Sequence, residues 1–258
     1  MDHLRIYSIC FLWSQISFAQ GLLMFDCDNL YAKRGLDLFK ASACYSQLEK
    51  NKIISSEIYF ERAFTTLSSA VSEFVKKPEE RKSIDEALLI LDQVKNKTGE
   101  HALYNYWKAV WISFDAVEKD RGSLLPTTMF GRIGTIQDLL AAAIKEDPSI
   151  HFFGPERVLG LMHTQMPKIA GGDKKYAEQL LKSAFTNQPR YFSNVYNYAN
   201  ILYLNGKTNE AKKVLTDFVN SPDAYYEIYA PEIARSLLPE IKNEKIKAQK
   251  LITEIDSE

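Results

Sequence analysis

"IAGGDKKYAEQLLKSAFTNQP", residues 169–189, carries a glycine pair, an acid, alanine and leucine at helical spacing, and a closing proline. Two structures are consistent with that order. A glycine pair before a helix can cradle a phosphate, or it can be the turn inside a helical repeat. A phosphate loop needs a preceding strand and a GK[ST] or GxGxxG pattern, and the stretch has neither. The repeat reading is supported by a second stretch, "NGKTNEAKKVLTDFVNSP" at residues 205–222. Gly172 aligns with Gly206, Ala177 with Ala211, Leu181 with Leu215 and Ala184 with Phe218, each at an offset of 34 residues. Pro189 falls one residue short of the same offset to Pro222. That is the tetratricopeptide period. Glycine turns the chain between helices A and B, alanine lets them approach, larger residues fill the groove to the next pair, and proline ends helix B.

The rest of the chain reads as helix. No alternating Val/Ile/Thr run bounded by turn signals is present, whereas helical periodicity recurs throughout. "SIDEALLILDQVKNKTG" opens on Ser83 with Glu86 placed as in a capping box and ends at Gly99. "EHALYNYWKAVWISFDAVEKDRG" places Leu103, Trp107, Ala109, Val110 and Phe114 along one face and closes at Gly122. "IGTIQDLLAAAIKEDP" stops before Pro148. An irregular connection is expected around "GSLLPTTMFGRIG". The expectation is an all-α, tetratricopeptide-like α-solenoid of antiparallel helix pairs. It forms one domain over residues 20–258, with its clearest repeats at 158–191 and 192–225. A charged amphipathic helix at about 239–256 caps it.

Composition narrows the function. The chain has 258 residues, 46% hydrophobic and 25% charged, with a net charge of −1, so it has no broad basic field for nucleic acid. Residues 1–19 combine His3 and Arg5, an apolar run from Ile6 to Ile16, and Ser17-Phe18-Ala19. This reads as a secretory signal peptide cut after Ala19. Its apolar run is shorter than the about 20 residues that span a bilayer. No later segment is apolar enough to do so. The contexts of Cys10 and Cys27 do not resemble a lipoprotein box, so a chain free in the exported compartment, without a lipid anchor, is expected. Cys27 and Cys44 lie 17 apart. In an oxidising compartment they either form a disulfide across two antiparallel helices or remain buried thiols. No CxxC pair and no close histidine pair suggests a metal site.

Several residues are candidates for contact with a ligand or partner. Trp107 and Trp111 share a helix face with Tyr104 nearby, lining a channel or packing between helices. Arg157 follows Gly154-Pro155, a helix start, and either grips a carboxylate or pairs structurally, with Asp173 as one partner. Asp173 equally suits a helix cap. Tyr191, Tyr196, Asn197, Tyr198 and Asn200 form an aromatic-amide cluster of the kind that lines repeat-protein grooves, with half of the tyrosines expected in the core. No activated nucleophile, paired catalytic carboxylates or cofactor fingerprint stands out, so neither catalysis nor a cofactor is expected.

Residues 152–185, "FFGPERVLGLMHTQMPKIAGGDKKYAEQLLKSAF", contain Gly154-Pro155, Arg157, Leu159-Gly160, Pro167 and Gly171-Gly172-Asp173. In this run the chain resembles the TRAP-transporter T-component (TatT) family of exported helical proteins. An average tetratricopeptide unit has no such insertion between helix A and the turn. The resemblance extends over roughly residues 30–222. It implies a non-enzymatic periplasmic protein beside the solute-binding subunit of a tripartite ATP-independent transporter for small organic acids. It also implies docking of that subunit, assembly as a homo-oligomer and a passage for ligand. The alternative is a general tetratricopeptide scaffold in envelope assembly or secretion.

Overall fold

A computed structural model describes residues 26–30, 37–55, 59, 84–85, 88–89, 91–92, 95–96, 101–120, 127–223 and 238–257. The expected signal peptide, and the expected helix boundaries at Ser83, Glu86, Gly99 and Gly122, lie outside these residues. Among the described residues the fold is all-α helical repeat, with no strand. The chain divides into two compact units, Met1–Thr98 and Gly99–Glu258.

In the first unit, α1 spans Asp37–Lys50. Residues 26–30 form a helical segment tied to α1 in two ways. A disulfide joins Cys27 to Cys44, with Cα atoms 5.5 Å apart, and the Tyr45 hydroxyl donates to the Asp28 carboxylate.

The second unit contains α2 (Ala102–Lys119), α3 (Thr127–Glu146), α4 (Ile150–Gln165), α5 (Lys174–Asn187), α6 (Phe192–Leu204), α7 (Thr208–Asn220) and α8 (Leu238–Ser257). Each helix packs on its successor. In addition α2, α4, α6 and α8 touch one another in sequence, whereas α3, α5 and α7 make no comparably close approach. A continuous row of A helices with B helices splayed outside it is the stacking that a solenoid needs.

The repeat positions form the core. Ala177 and Ala211 are fully buried, as are Leu181, Leu215, Ala184 and Phe218 to within a few per cent. The cluster extends through Val195, Tyr198, Ala199 and Leu202 of α6. Ile241, Ala248, Leu251, Ile252 and Ile255 of α8 close its end. α8 packs on both α6 and α7.

One sequence expectation is corrected. The stretch expected to be irregular, 122–134, is helical from Thr127 onward. The Asp120 carboxylate, at the end of the preceding helix, accepts from Thr128 N at 3.0 Å and Met129 N at 2.7 Å. It thereby satisfies two of the N–H groups that a helix start leaves unpaired. Gly131 and Gly134 sit where an added Cβ would meet nothing. They cost some helix propensity but do not break α3.

Candidate functional site

The resemblance-bearing motif builds the middle of this unit. Its helix α4 begins abnormally. His151, Phe152 and Phe153 have φ of 47°, 57° and 61°, a left-handed turn that non-glycine residues rarely adopt. Regular helix starts after it at Gly154-Pro155. Proline suits a first helical turn because its missing N–H would be unpaired there anyway.

Arg157 secures that turn. It is 5% exposed. Its Nη1 donates to Phe152 O at 3.0 Å and to Asn194 Oδ1 at 2.7 Å, and Nη2 reaches His151 O at 3.3 Å. Asn194, fully buried on α6, donates from Nδ2 to Phe152 O and Ala184 O, both at 3.0 Å. The guanidinium lies 4.7 Å from the centre of the Tyr191 ring, within cation–π range. Arg157 is thus committed to backbone carbonyls, an amide and an aromatic face. The pairing with Asp173 weighed from sequence does not form. Asp173 caps α5 instead, accepting from Lys175 N and Tyr176 N at 2.9 and 3.0 Å.

Aromatic rings surround the same turn. Tyr191 stacks on Phe152 at 4.8 Å, and the His151 ring lies 5.2 Å from Trp107 and 5.8 Å from Tyr106. Burial pushes the Tyr106 hydroxyl up to about 12, against the opposing pull of Arg157. Burial, helped by the Arg157 charge, lowers His151 to about 3. The imidazole is therefore neutral near pH 7 and packs as an aromatic ring.

The motif glycines each answer a close approach or a turn. A Cβ on Gly154 would sit 2.7 Å from the Tyr106 ring, and one on Gly160 would sit 2.8 Å from Leu181. Gly171 adopts φ 90°. Gly172 lies so close to Met166 O that a Cβ would stand 1.9 Å away. By the 34-residue offset Gly206 corresponds to Gly172, yet the left-handed role of Gly206 (φ 77°) falls to Gly171 in the first pair. The connection between α4 and α5 takes eight residues, 166–173, where that between α6 and α7 takes three, 205–207. The longer one includes a 3₁₀ turn at Lys168–Ala170.

The nominated contact residues are dispersed. Tyr104, Trp107 and Trp111 are core residues of α2, at 3%, 2% and 0% exposure. Tyr191 belongs to the Arg157 cluster. Tyr196 is half-buried beneath the Lys247 ammonium. Asn197 donates to Ser193 Oγ at 3.2 Å, and Asn200 is half-buried. Leu159 is buried next to Gly160. Asn194 was missed from sequence, although a polar residue at the helical spacing of Tyr198 and Ile201 is a usable signal for a buried amide.

A groove of about 520 Å³ opens where α5 and α7 splay apart. Phe185, Val195, Val214 and Phe218 line it, with exposed Arg190 and Asp217. Its size suits a small molecule or a short segment of a partner. Among the described residues, no cluster of His, Cys, Asp and Glu could hold a metal ion. No described helix is long and apolar enough to cross a membrane.

No protein-family model matches the sequence, and no curated protein is significantly similar to it.

Proposed function

We propose that the chain is a non-enzymatic, exported helical-repeat accessory protein. It docks the solute-binding subunit of a TRAP-type transporter, a tripartite system for small organic acids and related solutes. The observation that carries this reading is the GP-x-R-x-LG…P…GGD run, Gly154 to Asp173. Gly154 and Arg157 serve the left-handed entry to α4, and Gly171, Gly172 and Asp173 serve the extended connection 166–173, while Gly160 lets α4 approach α5. Coordinated use of a spaced motif argues for a specific repeat type rather than chance matches within a generic array. The row of A helices adds a surface for a protein partner, and the groove beside α5 and α7 accommodates a ligand or a partner segment.

The test is affinity capture from envelope extract of the native host with residues 20–258, read by mass spectrometry. Recovery of a solute-binding protein is the expected result. Recovery of envelope-assembly proteins alone, or of nothing across several salt concentrations, transfers the reading to a general scaffold.

A further inference from the structure

The connection 166–173 buries little of itself yet is held rigidly. Ala170 N and Gly172 N both donate to Pro167 O, at 2.8 and 3.1 Å, and Gly171 N donates to Lys168 O at 3.1 Å. The buried His163 ring donates from Nδ1 to Gly171 O at 3.2 Å and meets the Tyr176 ring edge-on at 5.0 Å. Gly172 is wedged against the Met166 backbone, and Asp173 is fixed as the cap of α5. At the tip of this braced loop Ile169 is 99% exposed. An insertion that served the fold alone would turn its one branched apolar side chain inward. This one holds it in water on a preorganised support.

The surroundings carry a defined charge. Lys168, Lys174 and Lys175 are exposed, and none of them forms an ion pair among the described residues. The nearby carboxylates are engaged: Asp173 in its cap, and Glu178 with Lys207 and with Asn205 at 2.8 Å. The α6–α7 connection sits alongside, since Asn205 Nδ2 donates to Lys174 O at 3.3 Å. It brings Leu204, 40% exposed, to the same end of the helix pairs.

We propose that the 166–173 connection is the docking prong for the solute-binding subunit, with Ile169 entering an apolar socket that the partner borders with carboxylates. The inference rests on the function proposed above and adds the surface and the partner's chemistry. Rigidity lowers the ordering cost of association, and the three lysines steer an acidic partner and set orientation. A protein socket suits a single fixed isoleucine better than an anionic bilayer. Stable membrane attachment needs far more inserted apolar area than one side chain supplies.

The experiment uses the purified full-length exported chain and the solute-binding protein captured by it, with binding measured by biolayer interferometry. The variants are Ile169→Asp, the triple Lys168→Glu/Lys174→Glu/Lys175→Glu, and, as a charge control exposed on α3, Lys145→Glu. Thermal melting checks the fold of each; the Ile169 side chain stands in water, so its variant is expected to melt as the parent does. The prediction is an affinity loss of about 10- to 100-fold for Ile169→Asp. The triple variant associates more slowly and loses salt dependence, while Lys145→Glu binds as the parent does. Parent-like binding by a folded Ile169→Asp overturns the prong and leaves the docking function standing. Failure of the parent chain to capture any solute-binding protein overturns the function and the prong together. Binding of vesicles containing anionic phospholipid that depends on Ile169, with partner binding unaffected, overturns it in favour of a membrane contact.

Discussion

Arg157 Nη1 and Asn194 Oδ1 meet at 2.7 Å inside the second unit, and both side chains also bond the carbonyl of Phe152. Two residues 37 apart in sequence thus hold one left-handed turn. Each of the three turn residues costs of order 1 kcal/mol in backbone strain, so the turn persists only while these bonds persist. Arg157→Met should destabilise the second unit by about 3 kcal/mol, because several buried acceptors lose a charged donor together. Asn194→Ala should cost a similar amount, and the double variant clearly less than the sum. Urea unfolding of the four proteins measures the coupling. Additive losses would mean that the two side chains act independently.

Gly154 and Gly172 test the close approaches. Alanine at Gly154 meets the Tyr106 ring, and alanine at Gly172 meets backbone at Met166 that cannot swing aside. Gly154→Ala should cost about 1–3 kcal/mol, and Tyr106→Leu should recover part of that by opening space. Gly172→Ala should cost more and resist rescue by any side-chain change. Thermal melts rank the variants; equal losses at the two sites would contradict the geometry.

His151 gives the second unit a pH dependence of fixed sign. Its proton affinity is depressed by burial and by Arg157, to about 3 from an ordinary 6.5. Between those values the unfolded chain binds the proton and the folded chain does not. Its stabilising contribution is therefore full above pH 6.5 and declines as the pH falls towards 3. His151→Gln should flatten that part of the stability–pH curve. An unchanged slope would mean that His151 is not the titrating group.

Glu156 runs the other way. Burial raises its proton affinity, opposed by the bond that Ser183 Oγ donates to Oε1 at 3.1 Å, and its Oε2 is buried with no hydrogen-bond partner. The folded state holds this proton more tightly than the unfolded state does. Stability from Glu156 is thus greatest at acid pH and is lost as the pH rises through the folded value. Glu156→Gln, neutral at every pH, should raise the melting temperature at pH 7 and leave it nearly unchanged at pH 4. A lower melting temperature at pH 7 would show that the carboxylate is stabilising as an anion.

The helix pairs α4/α5 and α6/α7 were legible because their close contacts use small residues at a fixed period: Ala177 with Ala211, Gly171 and Gly172 with Gly206. The pair α2/α3 lacks that device. It is joined by Asp115, 2% exposed, which accepts from Arg132 at 2.6 Å and Lys119 at 2.9 Å. A period search cannot register a charge pair. The start of α3 was missed for a related reason, since its cap, Asp120, lies eight and nine residues before the groups it satisfies. Within the candidate site, Arg157 and Asp173 were visible as motif members, but which of them bonds where depends on tertiary approach. Asn194 looks like Asn197 and Asn200 until packing buries it. Trp107 and Trp111 had the right spacing for a shared face, and that face turns into the core.

Solute uptake by cells reads the proposed role in transport. Cells lacking this protein, and the same cells complemented with it, are compared for uptake of the solute eluted from the captured binding protein. Uptake should fall when the chain is absent and return on complementation, and complementation with Ile169→Asp should restore far less. Uptake that is the same with and without the chain would contradict a role in transport.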